Sequence, residues 1–240
     1  MYGVDTYFRV TRPRDIEDAT DILGTKPLFW GRYFSGIDFG GGGEYFRRLE
    51  SPPLHLAGIR VLPIGRFTTQ VGLGKDEGLR DGTDQAQDVV LSFGEDYLKS
   101  KGGEYYIFLD VEPQTPLSRD YYLGWSEAVR SFSNKVKLLP CVYLNARDST
   151  TSRALNLAMR NGAECEGLWI ANFGNRFRKS SSPQLDFDSD DASPATSIPD
   201  VPVLIWQYAG EIDGDFDLNV SNPQIRDEEI LNRLVLPPGS

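Results

Sequence analysis

The stretch "YYIFLDVEP", residues 105–113, places Asp110 and Glu112 at the end of an apolar run. Side chains on a strand alternate with a period of two, so the two carboxylates share one face while Val111 takes the other. Adjacent acids repel each other and resist desolvation, and a fold keeps such a pair mostly where it has chemistry to do. Residues two apart on a strand stand roughly 6.6 Å apart at the backbone, close enough for their protonation to couple. Glycosidic cleavage calls for this combination. One carboxyl group must hold a proton for the leaving oxygen, and another must carry negative charge beside the anomeric carbon. The plain alternative is a strand that simply runs out into solvent.

Two further acids join this pattern. Asp5 lies in "GVDTY" near the start, and Asp217 lies in "DFDLN" near the end. Other side chains that could gather around the same mouth are Gln70, Tyr143, Asn145, Asn172, Trp206 and Gln207. Aromatic rings stack on pyranose faces, and amides and carboxylates hydrogen-bond hydroxyls, so the set suits a sugar. Arg32 reads either as a substrate contact or as an ion-pair partner of one of the site acids, and the ion pair is preferred. Phosphorylated substrates fit badly, because cations are scarce among these residues.

Other chemistries find little support. His55 is the single histidine and follows "SPPL" in a turn-like stretch, which makes it a weak member for a Ser–His–Asp triad. No HExxH or CxxC spacing occurs, so no metal site is expected, and no cofactor. Cys141 and Cys165 read as free thiols. The run "DFDSDD" begins like a calcium loop but has Asp191 where glycine is needed and Ser197 where the closing glutamate belongs. The "GGGG" run at 40–43 lacks the Lys-Ser/Thr of a phosphate loop and reads as a βα loop. The net charge of −10 excludes sequence-independent nucleic-acid binding and a polybasic membrane anchor. No apolar stretch reaches the roughly 20 residues of a membrane span.

Positioning these acids requires a scaffold of alternating elements. Strands are expected at 2–8, 27–34, 58–67, 104–112, 136–145, 167–173, 202–209 and 215–220. Most are continuous apolar runs, as in parallel strands covered on both faces. Helices are expected at 14–23, 43–50, 81–100, 115–133 and 149–162, with caps such as Pro13 and Gly162. Strand–helix alternation implies a parallel sheet with right-handed crossovers. Five βα units followed by three strands suggest an α/β barrel rather than an open sheet. Functional groups of such a barrel come from the C-terminal ends of its strands, on one face. The segment 175–201 is rich in Ser, Pro and Asp without periodicity, and reads as a long mobile surface loop.

Four segments taken in order, "GVDTY", "LDVEP", "LWIANF" and "IWQYAGEIDGDFDLN", resemble glycoside hydrolase family 25, the Chalaropsis-type lysozymes. With "FWGRYFSG", the likeness is nearest to the bacterial branch described as glycoside-hydrolase-like domains of unknown function. It implies one irregular TIM-like (β/α) barrel over residues 1–240, with about eight strands and five helices. It also implies action on the β-1,4 bond between N-acetylmuramic acid and N-acetylglucosamine in peptidoglycan or a related glycan. By this resemblance Glu112 is the general acid and Asp110 orients the substrate's own 2-acetamido group as internal nucleophile. Asp5 and Asp217 complete an acidic floor, and Tyr143 and Trp206 line the sugar site. "TYFRVTRPRD" stands where the family's usual opening has a Gln-Gly and an Asp-Trp. A second reading is a catalytically degenerate barrel that binds carbohydrate or serves as a scaffold. The expected protein is a monomer, secreted or delivered to the cell wall by a route the sequence does not show, since no signal peptide is visible.

Overall fold

Eight short strands close on themselves in the computed structural model, which describes residues 1–36, 44–66, 70–182 and 184–239. They are β1 (Tyr2–Thr6), β2 (Phe29–Phe34), β3 (Arg60–Gly65), β4 (Glu104–Val111), β5 (Lys137–Asn145), β6 (Leu168–Ala171), β7 (Val203–Ile212) and β8 (Phe216–Ser221). Neighbours in sequence are neighbours in the barrel, and β8 closes it against β1. The first seven strands are parallel, but β8 runs antiparallel to both β7 and β1. This departs from the all-parallel expectation for a physical reason. Just three residues, Asp213–Asp215, separate β7 from β8, and so short a link can only make a hairpin.

Among the described residues there are seven helices rather than the expected five. They are α1 (Pro13–Leu23), α2 (Arg47–Ala57), α3 (Lys75–Phe93), α4 (Glu95–Ser100), α5 (Arg119–Ser131), α6 (Ser149–Arg160) and α7 (Asp227–Leu231). The expected 81–100 helix starts earlier and is split at Gly94 into α3 and α4. The expected 43–50 helix instead runs through Pro52 and Pro53, because Glu50 and Leu54 are anchored on either side of them. The five-residue α7 is too short to leave a periodic signature. The glycine run at 40–43 lies outside the described residues.

Strand alternation sorts the interior into two layers. Outward-facing Val4, Trp30, Val61, Ile107, Leu109, Val142 and Trp206 join the helices in one large core. Inward-facing Phe29, Leu62, Tyr106, Phe108, Leu139, Cys141 and Ile205 fill the barrel itself. Ile230 and Leu234 belong to this inner cluster, and Tyr106 N–H donates to the Arg233 carbonyl, so the C-terminal segment plugs the end where the parallel strands begin. The other end is left as the mouth. No helix among the described residues is long and apolar enough to cross a membrane.

Arg32 is fully buried on the outer side of β2. Its Nε donates to Glu50 Oε1 at 2.6 Å, and it also donates to the Thr6 carbonyl. The same carboxylate accepts from the Val10 and Phe46 backbone N–H groups, tying α2 to the loop after β1. Removing one partner of a buried ion pair strands the other, at about 3–5 kcal/mol. Glu50→Ala should therefore lose about that much unfolding free energy in urea denaturation. A loss under about 1 kcal/mol would show that the pair contributes little.

Candidate active site

Four acids meet at the open end of the barrel. Asp5 is near the end of β1, Asp110 near the end of β4, and Glu112 just beyond it. Asp217 is near the start of β8, which lies at the same end because β8 runs the other way. Asp5 and Asp217 are direct cross-strand partners. With Tyr33, Ile64, Tyr143, Trp169 and Gln207 the four acids line a pit of about 30 Å³, room for a water or two or the tip of an acetamido group.

A wider groove of about 520 Å³ adjoins the pit, lined by Pro113, Gln114, Asn145, Phe173, Phe177, Arg178 and Glu211. Glu112, Tyr143 and Asp217 line both spaces, so the pit is the deep end of the groove.

The amides at the floor are oriented by their neighbours. Tyr143 O–H donates to Gln207 Oε1 at 2.7 Å. That turns Gln207 Nε2 toward Asp5 Oδ2 at 2.9 Å and Asp217 Oδ2 at 3.1 Å. Trp169 Nε1–H donates to Asn219 Oδ1 at 2.9 Å, so Asn219 Nδ2 donates to Asp5 Oδ2 at 2.8 Å. Asp217 Oδ1 accepts the Glu211 backbone N–H at 2.7 Å.

Burial pushes all four acids toward the protonated form, and repulsion from neighbouring acids adds to it at Asp5, Asp110 and Asp217. Asp5 is raised well above the ordinary aspartate value, first by desolvation and then by the charge of Asp217, against the two amide donors. Desolvation raises Asp217 to about 6, while the Glu211 N–H and a hydrogen bond with Asp5 hold it down. Desolvation raises Asp110 strongly, the charge on Glu112 raises it further, and Arg66 opposes both. Desolvation also raises Glu112. Among the described residues neither Asp110 nor Glu112 has a hydrogen-bonding partner on its carboxylate that would hold it ionised. Tyr33 and Tyr143 are raised by burial and by these acids, so both phenols remain donors. The Arg66 guanidinium lies over the rings of Tyr7 and Tyr33, at 5.0 and 5.3 Å.

Four residues expected from sequence to contact substrate stand elsewhere. Trp206 faces outward, because Gln207 beside it faces inward; its ring packs edge-on against Phe187 and under Arg176. Arg32 faces outward between Gly31 and Tyr33, and its partner is Glu50 rather than a site acid. Gln70 lies past the end of β3 and accepts from Arg80 at 2.9 Å. Asn172 follows β6 and donates to Asp191, fastening the 175–201 segment. That segment has no helix or strand of its own among its described residues, yet buried Ala192 and Ile198 and the Phe187 ring dock it on the barrel. His55 lies on α2 and its Nδ1 pairs with the Pro237 carbonyl at 2.8 Å. Tyr33 and Asn219 belong to the site although the sequence did not single them out for it, and Trp169 lines the pit beside Tyr33. The signal for Asn219 was its period-two spacing from Asp217.

No family model and no curated relative matches the chain. Among solved structures it is similar to an uncharacterized B. stearothermophilus protein known from a 1.07 Å crystal structure. The two are 19% identical with a TM-score of 0.70, over 98% of this chain and 99% of that one. This likeness establishes the fold alone.

Room for Asp5 depends on Gly31. A Cβ at that position would stand 2.5 Å from Asp5 Cβ, 3.0 Å from Ile64 Cδ1 and 3.4 Å from Trp169 Cη2. Overpacking of this kind costs about 1–3 kcal/mol. Gly31→Ala should lower stability by that amount and shift Asp5 off its two amide donors, visible in a crystal structure of the variant. An unmoved Asp5 would refute the close fit.

Proposed function

We propose that the protein is a glycoside hydrolase of the family 25 type, cleaving β-1,4 bonds in peptidoglycan or a related N-acetylated glycan. The observation that carries this reading is the position of Glu112, which borders both the acidic pit and the open groove. A bond bound along the groove would lie beside a carboxyl group that burial inclines to hold its proton, as leaving-group protonation requires. The sequence resemblance points the same way, and the barrel fold is compatible with it.

Glu112 donates its proton to the glycosidic oxygen. Asp110, at the pit wall, receives the N–H of the substrate's 2-acetamido group, whose carbonyl oxygen attacks the anomeric carbon. Asp110 lacks a donor from the described protein, and an amide N–H arriving from the substrate would favour its charged form. An ionised Asp110 in turn disfavours charge on Glu112 beside it, so the substrate itself sets the catalytic protonation state. Asp217, raised only to about 6, carries negative charge at neutral pH close to the developing oxocarbenium ion, with Gln207 holding it beside Asp5.

The test is release of reducing sugar from purified cell walls and from β-1,4-linked N-acetylglucosamine oligomers, with Glu112→Gln as the control. No release from a broad panel of N-acetylated glycans would remove the proposal, as would equal release by the variant.

A further inference from the structure

We propose that the groove beside the pit is a second saccharide site, taking an uncharged hexopyranose of a longer chain and read by Arg178 and Glu211. This rests on the reading of the pit as a glycan-cleaving centre. The groove wall is built rather than incidental. Phe173 and Phe177 stack with centroids 5.5 Å apart and planes 10° apart, and the Arg178 guanidinium lies over Phe177 at 5.1 Å. Arg178 Nε donates to Glu211 at 2.6 Å.

The stack sits against β7 at Gly210, where a Cβ would come within 2.9 Å of Phe177 and 3.3 Å of Phe173. Backbone pairing of Phe177 with Gly210 fixes the register, with Arg178 N–H on the Gly210 carbonyl at 2.9 Å. Arg178 and Glu211 both have left-handed backbones, at φ 55° and 51°, which non-glycine residues rarely adopt. Strain of this kind persists where the surroundings enforce it, and it collects at ligand sites. Here it aims the two charged side chains at each other on the groove wall. The same turn presents the Glu211 N–H to Asp217, joining the wall to the pit floor.

The chemistry of this wall selects its ligand. A guanidinium fixed on an aromatic ring and already paired with a carboxylate offers coplanar donors and acceptors to neighbouring hydroxyls. Gln114 and Asn145 add amides to the same groove, whose volume of about 520 Å³ lies within the range of small-ligand sites. Among the described lining residues Glu211 already neutralises Arg178 and Asp217 is ionised at neutral pH, so a sugar bearing an acid meets no free cation there and is repelled.

The experiment measures binding by calorimetry to the Glu112→Gln chain, with β-1,4 N-acetylglucosamine oligomers of one to four units and with tetragalacturonate. Affinity should rise with oligomer length, and tetragalacturonate should not bind. Arg178→Ala, an exposed change, should weaken the tetramer about tenfold and leave the monomer unaffected. Glu211→Gln, which keeps its backbone N–H, should weaken the tetramer in the same direction. A tetramer bound no more tightly than the dimer, an Arg178→Ala variant equal to its parent, or no saccharide bound at all would each overturn the groove site. The two readings fail separately. Length-dependent binding without turnover by the unaltered chain would sink the hydrolase and keep the groove. Cleavage indifferent to Arg178 would do the reverse.

Discussion

Glu112→Gln should cut turnover on an N-acetylated glycan by about 10²–10⁴-fold while the glycan still binds. The substitution keeps the side chain's size and removes its exchangeable acid proton. Glu112 is placed for the donor's role by its surroundings: it borders both pit and groove, and burial favours its neutral form. An amide in its place cannot protonate the leaving oxygen, yet it leaves the Tyr143–Gln207–Asp5 network untouched. The expected signature is a fall in kcat with KM nearly unchanged, because proton donation stabilises the transition state and not the bound substrate. A rise in KM with unchanged kcat would instead make Glu112 a binding residue and take the general-acid role away from it.

How far the sequence reveals this site depends on which rule applies at each position. The eight strands and the acids at their ends follow from apolar runs and a period of two. The same period places Asp110 and Glu112 on one side of β4. Applied to β7 it also rules out Trp206, since Gln207 next to it faces the pit and neighbours on a strand cannot both do so. Arg32 fails by the same rule beside Gly31. Gln70 and Asn172 lie past the ends of their strands, where no period holds and loop packing decides direction. The roles of Trp169 and Asn219 depend on a hydrogen bond between strands 50 residues apart, which a linear pattern does not contain. Antiparallel β8 is legible from the length of the Asp213–Asp215 link, once that link is seen to be too short for a crossover.

The acid cluster should also make the protein more stable in mild acid than its other carboxylates would allow, and Asp110→Asn should stabilise it at neutral pH. A group whose folded-state pKa is raised holds its proton in the native chain at pH values where the unfolded chain has lost it. Stability from that group is therefore fully present below the unfolded value and is lost as pH rises through the folded value. For Asp217 the window runs from 3.8 to about 6. One pKa unit corresponds to about 1.4 kcal/mol, so this group alone withdraws about 3 kcal/mol across that window. Asp5, Asp110 and Glu112 shift in the same direction and add to the loss. Asp110 is the cleanest place to relieve it, because among the described residues no hydrogen bond to its carboxylate would be broken. Asn at 110 removes a buried charge next to Glu112, and a gain of about 1–2 kcal/mol at pH 7.5 is expected, with activity lost. Urea denaturation of both chains at pH 4.5, 6 and 7.5 measures this, and the advantage of the variant should shrink toward the acid end. A variant less stable than its parent at pH 7.5 would mean that the native chain holds Asp110 in a favourable environment, and the mutually repelling pair on which the cleavage chemistry depends would have to be abandoned.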